Sequence, residues 1–169
     1  MSHNKALFLD RDWVINIGAE VWKYITTIED FTFAPWAQEI IKEVTDALIP
    51  IFVITNQQCI WKWVVTYEQV SLLHSYMINE LEKKWWKIEK IMVCPHLTSD
   101  ACTCRKPQPW MILSVLAEYS ELDPSKCLFV WDSSSDIEAW IKAWVQTINI
   151  PKDGILSYSE EILSFFEEK

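Results

Sequence analysis

Asp10 and Asp12 stand two residues apart, directly after the apolar run Ala6–Leu9. Carboxylates at i and i+2 following a strand point in a common direction and can share a hard cation such as magnesium. Alone, an Asp-Arg-Asp also fits a solvated turn. A second acidic pair, Asp132 and Asp136, follows another apolar run in the same way. Four acids gathered at one sheet edge repel one another unless a cation neutralises them. Thr55, at the end of Ile51–Ile54, adds a hydroxyl donor, and Lys106 supplies a point charge suited to a phosphoryl oxygen. Carboxylates for magnesium, a hydroxyl and a lysine are the parts that phosphoryl transfer requires.

A second constellation comprises Cys94, His96, Cys102 and Cys104, three thiols and an imidazole within eleven residues. That set matches a closed tetrahedral zinc site, structural because four protein ligands leave no open position. Its spacing is not that of a common zinc finger, and an unliganded loop with incidental thiols is the alternative. Cys59 and Cys127 are left over and read as ordinary buried thiols. His3 reads as terminal and solvated, and His74 as a packed or surface residue of a helix.

These residues need elements to hold them. The runs Ala6–Leu9, Ile51–Ile54, Ile91–Val93, Leu128–Val130 and Val145–Ile150 have the length and β-branched content of parallel strands. Between them, Val70, Leu73, Met77 and Leu81 make one helix face apolar, with Thr66 and Gln69 as a capping box at its start. Met111, Ile112, Val115, Leu116 and Tyr119 repeat the pattern after Pro109, and Glu161–Phe166 forms a terminal helix. The alternation predicts an α/β fold, a doubly wound and mostly parallel sheet, as a single domain over residues 1–169. Asp10, Thr55 and Asp132 then fall at the carboxyl edge, where such sheets carry chemistry.

Composition narrows the partners. Fifteen Lys and Arg against 24 Asp and Glu leave a formal charge of −9, which argues against nucleic acid or an anionic membrane surface. Any phosphorylated metabolite must meet a site that reverses this field locally. The start MSHNKALFLD lacks the apolar stretch of a signal peptide, and no run approaches a membrane span. A cytoplasmic protein follows, and five cysteines there point to metal or reduced thiols rather than disulfides. Lys83-Lys84 and Glu167-Glu168-Lys169 read as solvated charge, and a monomer is expected.

The motifs themselves carry a resemblance. Phe-Leu-Asp-Arg-Asp-x-Val-Ile-Asn (8–16), Val-Ile-Thr-Asn-Gln (53–57), Cys-Arg-Lys-Pro (104–107) and Asp-Ser-Ser-Ser-Asp-Ile (132–137) resemble, in order, the motifs of haloacid dehalogenase-like (HAD) phosphatases. The likeness is greatest to the capless branch of heptose bisphosphate and histidinol-phosphate phosphatases, which has a similar zinc loop. It implies that Asp10 attacks phosphorus and Asp12 serves as acid and then base. Thr55 and Lys106 would hold the phosphoryl oxygens, with Asn56, Gln57 and Arg105 also lining the substrate site. Magnesium would take Asp10, the backbone carbonyl of Asp12 and Asp132, with Asp136 in support. The zinc loop, leading into Arg105 and Lys106, would fix their position. Between Asp12 and Thr55 there is room for a short strand and a helix, not for a cap domain.

Within that branch the Ile60-x-Lys62-x segment resembles the enzymes that hydrolyse the C7 phosphate of a heptose 1,7-bisphosphate. Cys-Pro-His-Leu at 94–97 is shared with histidinol-phosphate phosphatases, the alternative. A catalytically silent, zinc-stabilised binding domain is a third reading, against which stand Asp10, Asp12, Thr55, Lys106 and Asp132.

One count is abnormal: the chain has 11 Trp and only 2 Gly, Gly18 and Gly154. Average usage of about 7% predicts roughly a dozen glycines. The resembled phosphatases have glycine where this chain has Trp13, Trp36, Trp61, Trp63, Trp110, Trp131, Trp140 and Trp144. Trp22, Trp85 and Trp86 also fall in turn-like contexts. Indoles there are expected to overpack the fold by about 1–3 kcal/mol per buried site. A codon such as UGA, reassigned to glycine but translated as Trp, would account for the pattern. A genuinely tryptophan-rich core is the other explanation.

Overall fold

A computed structural model describes residues 4–20, 23–132, 144–150 and 157–167. Five strands, β1 (Ala6–Leu9), β2 (Ile51–Asn56), β3 (Lys90–Cys94), β4 (Cys127–Trp131) and β5 (Gln146–Asn149), pair in the order β3-β2-β1-β4-β5. All four pairings are parallel. Each strand sits where an apolar run predicts it. The sheet runs outward from β1 to β3, then returns to place β4 on the other side of β1. That reversal makes a switch point between β1 and β4, beyond whose carboxyl ends a ligand crevice is expected.

Among the described residues four helices cover the sheet: α1 (Pro35–Asp46), α2 (Tyr67–Glu82), α3 (Trp110–Glu118) and α4 (Ser157–Glu167). Alternation along the strands divides the core between the two faces. Leu7, Leu9, Ile51, Val53, Leu128 and Val130 pack with α1, α2 and α4, where Ile40, Met77 and Ile162 are fully buried. Phe8, Phe52, Ile54 and Phe129 point the other way, against Met111, Ile112 and Val115 of α3. Strands buried on both faces explain why they read as continuous apolar runs.

The α2 expectation is realised in detail. Val70, Leu73, Met77 and Leu81 are buried, and Thr66 and Gln69 exchange the reciprocal bonds of a capping box. Between β1 and α1 the described residues form only isolated bridges, Asp12 with Asn16 and Asn16 with Phe33. The α1 helix starts on Pro35, whose missing N–H costs nothing in a first turn.

Six non-glycine residues among those described have positive φ: Trp13, Leu48, Trp63, Trp85, Ala101 and Trp144. Four of the six are tryptophans, all at positions where the sequence pattern expects glycine. Trp131 is buried, and its indole N–H finds no hydrogen-bond partner among the described residues. Trp22 and Trp140 lie outside the described residues.

Candidate active site

The β1 strand ends at Leu9, and the chain leaves it with the Asp10 N–H donating to Val130 O of β4 at 2.9 Å. Leu9 pairs with Val130, so Asp10 leaves β1 level with Trp131, one residue before Asp132, at the switch point. Asp136 lies outside the described residues, as does His3.

Asp10 is held on both oxygens. Its Oδ1 accepts the Arg11 N–H at 2.8 Å, and its Oδ2 forms an ion pair with Lys106 Nζ. Burial pushes the Asp10 carboxyl above its usual range and outweighs the opposing pull of Lys106; the nearby Asp12 charge pushes the same way as burial. Lys106 is itself buried, with its ammonium 5.7 Å from the centroid of the Phe129 ring. Lys106 pairs with Asp10 and Arg11 with Asp12, and a third carboxylate, Asp132, follows at the end of the adjacent strand. Hard oxygen donors gathered at one sheet edge suit a divalent cation such as magnesium.

Lys106 is set in place by β2. Its backbone N–H donates to Asn56 Oδ1 at 3.0 Å, and its carbonyl accepts Asn56 Nδ2 at 3.1 Å. Both ends of the Asn56 amide are thus engaged by the Lys106 backbone. Gln57, buried, donates through Nε2 to Asp12 Oδ2 at 3.0 Å and to Thr55 Oγ1 at 2.8 Å. Thr55, Gln57, Asp12, Asp10 and Lys106 therefore form one connected group.

Sequence reasoning gave no role to Arg11, which the structure places at the centre of this group. Arg11 is only 1% exposed. Its Nε lies 3.2 Å from Asp12 Oδ1, and its Nη2 lies 2.8 and 2.9 Å from the two Asp12 oxygens. Asn16 Nδ2 adds a bond to Asp12 Oδ1 at 3.1 Å. Burial raises the Asp12 pKa, but the Arg11 charge and the hydrogen bonds from Arg11, Asn16 and Gln57 outweigh it, so Asp12 ends below its usual range. The remaining guanidinium nitrogen, Nη1, meets Nε2 of His74 at 3.2 Å. Burial and the Arg11 charge bring that imidazole down to about 4. His74 is packed, one of the two roles its helix position allows; its link to Arg11 crosses 63 residues and has no local sequence signal.

The loop after β3 gathers Cys94, His96, Cys102 and Cys104, with one ligand atom from each lying within 4.8 Å of the others. Sγ–Sγ separations are 3.7 Å for Cys94–Cys102, 3.2 Å for Cys94–Cys104 and 3.7 Å for Cys104–Cys102. His96 Nδ1 lies 3.5 Å from Cys94 Sγ and 3.2 Å from Cys104 Sγ. Tetrahedral zinc with bonds of about 2.3 Å to sulfur requires sulfurs about 3.8 Å apart, so the cluster could hold the ion with small adjustment. Arg105 Nη1 donates to His96 O at 3.0 Å, which ties the loop to the residue beside Lys106. Cys59 and Cys127 are both buried thiols, and burial pushes Cys127 up to about 12.

No family model matches the chain. A D-glycero-alpha-D-manno-heptose-1,7-bisphosphate 7-phosphatase of Campylobacter jejuni is 37% identical to it, covering 98% of this chain and 97% of the other. The chain belongs to the heptose bisphosphate phosphatase family of the HAD superfamily. A D-glycero-beta-D-manno-heptose-1,7-bisphosphate 7-phosphatase of Rhodopseudomonas palustris is 31% identical, over 94% of this chain and 89% of its own length. The crystal structure of the D,D-heptose 1,7-bisphosphate phosphatase from B. bronchiseptica, complexed with magnesium and phosphate, superposes with a TM-score of 0.85. Its sequence identity is 22%, over 95% of this chain and 98% of that one. As a HAD phosphatase the chain is a phosphoric monoester hydrolase with the Rossmann-like fold of the superfamily. Among the described residues no helix is long and apolar enough to cross a membrane.

Proposed function

We propose that this enzyme hydrolyses the C7 phosphate of D-glycero-D-manno-heptose 1,7-bisphosphate through an aspartyl-phosphate at Asp10. The observation that carries the chemistry is the connected group at the β1 end. Two carboxylates lie two residues apart, one against Lys106 and the other against Arg11 and Gln57. The substrate follows from the relatives, which carry that activity in their names at 31–37% identity.

A carboxylate oxygen of Asp10 attacks phosphorus and the bond from phosphorus to the sugar oxygen breaks. Asp12 gives a proton to the departing alkoxide. In the second half Asp12 takes a proton from water, which attacks phosphorus, breaks the bond to Asp10 and releases inorganic phosphate. The Arg11 bridge holds Asp12 in the base form required for that second half. Approach of a phosphate dianion raises its proton affinity and loads it for the first. Thr55 and Lys106 would hold the phosphoryl oxygens, with Lys106 passing from Asp10 to the transferred group. Asp10, the carbonyl of Asp12, Asp132 and Asp136 would hold magnesium, which supplies electrostatic stabilisation of the phosphoryl oxygens. Cys94, His96, Cys102 and Cys104 would hold zinc.

Magnesium-dependent phosphate release from heptose 1,7-bisphosphate, compared with histidinol phosphate, tests the assignment. A preference for the sugar by at least about tenfold in kcat/KM is expected, a difference of about 1.4 kcal/mol in transition-state binding. Preference for histidinol phosphate overturns the substrate.

A further inference from the structure

A guanidinium only donates hydrogen bonds, so His74 Nε2, 3.2 Å from Arg11 Nη1, must accept and the ring proton must sit on Nδ1. Both side chains are buried, His74 at 7% exposure and Arg11 at 1%. The other two nitrogens of Arg11 grip both oxygens of Asp12. Each guanidinium nitrogen therefore has an acceptor: Asp12 for Nε and Nη2, with the Ile25 carbonyl also 3.5 Å from Nη2, and His74 for Nη1. The geometry points to His74 as a positioning residue for catalysis. By accepting from the nitrogen that Asp12 leaves over, it fixes the plane of Arg11 and, through Arg11, the orientation of Asp12 as acid and base. This role rests on the acid–base reading of Asp12 given above. Because Arg11 and His74 come from different elements, the β1 turn and α2, their bond also sets the helix against the catalytic turn.

The role shows in the leaving group. An alkyl phosphate needs a proton on its departing oxygen, whereas p-nitrophenolate leaves without one. The value of kcat/KM reports the steps through departure of that group. His74→Leu is expected to lower kcat/KM for the sugar phosphate about ten- to a hundredfold, as misplaced catalytic groups do. The loss on p-nitrophenyl phosphate should be several times smaller. His74→Gln, whose amide oxygen can accept from Arg11, should recover most of the activity. Asp12→Asn provides the reference. If Asp12→Asn discriminates between the esters while His74→Leu does not, or if His74→Gln gives no rescue, the positioning role is overturned. If Asp12→Asn itself does not discriminate, the acid–base reading falls, and the role of His74 with it.

A separate observation concerns the backbone. Trp13, Trp63, Trp85 and Trp144 have φ of 66°, 57°, 64° and 62°. The left-handed region disfavours any residue with a Cβ and is ordinarily filled by glycine. Trp85 sits at the end of α2, where its N–H bonds Glu82 O and the next N–H, of Trp86, bonds Leu81 O. Those two bonds define the Schellman ending, whose left-handed residue is usually glycine. Trp63 repeats it: its N–H bonds Ile60 O, and the Val64 N–H bonds Cys59 O. Three of the four indoles lie out in solvent. Trp63 is 93% exposed, Trp85 92% and Trp144 80%. The Trp13 indole lies where a Cβ on Gly18 would stand only 2.2 Å away. A cavity of about 610 Å³ beside the loop after β2 owes two walls to Trp61 and Trp63.

The structure assigns glycine to positions 13, 63, 85 and 144 of the protein made in its own cell, with tryptophan arising from conventional reading of a codon that cell decodes as glycine. Peptide sequencing by mass spectrometry of the protein from its source should find glycine at these four positions, and the gene should carry the same non-UGG codon at each. W63G, W85G and W144G in the conventionally translated chain should each raise Tm, since each relieves φ strain and removes an unpacked indole. Tryptophan in the native peptides, UGG codons at these positions, or a fall in Tm for all three variants overturns the assignment.

Discussion

Asp10→Asn abolishes turnover and leaves the fold intact. The amide oxygen is no nucleophile toward phosphorus at neutral pH, so kcat should fall by about 10⁴-fold or more, the scale on which nucleophile removal is measured elsewhere. The side chain keeps its shape, but its single oxygen can accept from Lys106 or from the Arg11 N–H and not from both, which leaves the amide nitrogen against the other donor. Stability should respond with a definite sign. Burial raises the folded pKa of Asp10, so its contribution to stability is present below its unfolded value, about 3.9. That contribution is lost as pH rises through the raised folded value. At neutral pH without divalent cations the charged Asp10 is therefore a burden that a neutral asparagine lacks, so the melting temperature of the asparagine variant minus that of the parent should be largest near neutral pH. The gap should narrow as pH falls. Asp12 has the opposite linkage, since its folded pKa is lowered. The stability it contributes is present above the unfolded value and is lost as pH falls through the folded one. Scanning calorimetry from pH 3 to 8 on both proteins, alongside phosphate release, checks each part. Retained turnover in the variant would remove Asp10 as nucleophile.

The sheet could be read from the sequence because each strand is buried on both faces. Ile51–Ile54 and Leu128–Val130 must be apolar at every position, so they stand out without any alternation. Asp10 and Asp132 stood out by contrast, as the first acids after such runs. The Cys/His cluster was compact enough, from Cys94 to Cys104, to be picked out as one group from its spacing, and the structure brings its four ligand atoms together. What escaped was whatever depends on tertiary proximity. The arginine of Asp-Arg-Asp looks like spacing between two carboxylates until the turn buries it, and only α2 packing brings His74 to it. Asn56 is a substrate-lining residue by the resemblance alone, and nothing local in the sequence shows that both ends of its amide clasp the Lys106 backbone across 50 residues. The tryptophans are the reverse case. There the composition already conflicted with the fold, and the positive φ values locate that conflict at individual turns.

Replacing one ligand of the Cys/His cluster should cost more activity than its distance from phosphorus implies. Cys94 ends β3 and is buried, while Cys102 and Cys104 lie in the loop that returns toward β2 through Arg105 and Lys106. In the absence of zinc that loop has weak reasons to keep its shape. Three thiols and an imidazole packed within hydrogen-bonding distance are poor donors to one another, and burial pushes the Cys94 and Cys104 thiols upward. A zinc ion would replace those contacts with bonds whose apparent free energies in zinc peptides reach about 10–16 kcal/mol. Purified without chelators, the protein should contain about one zinc per chain by elemental analysis, in keeping with a closed four-ligand site. Cys104→Ala should lose it, melt well below the parent, and show kcat/KM reduced about a hundredfold, as expected when a phosphate-binding lysine is misplaced by an ångström or so. Added magnesium should not restore that activity, because the defect lies in the position of Lys106 and not in the charge balance at Asp10. A fully active protein with no zinc would show that Asn56, clasping the Lys106 backbone through both ends of its amide, positions that lysine without the metal.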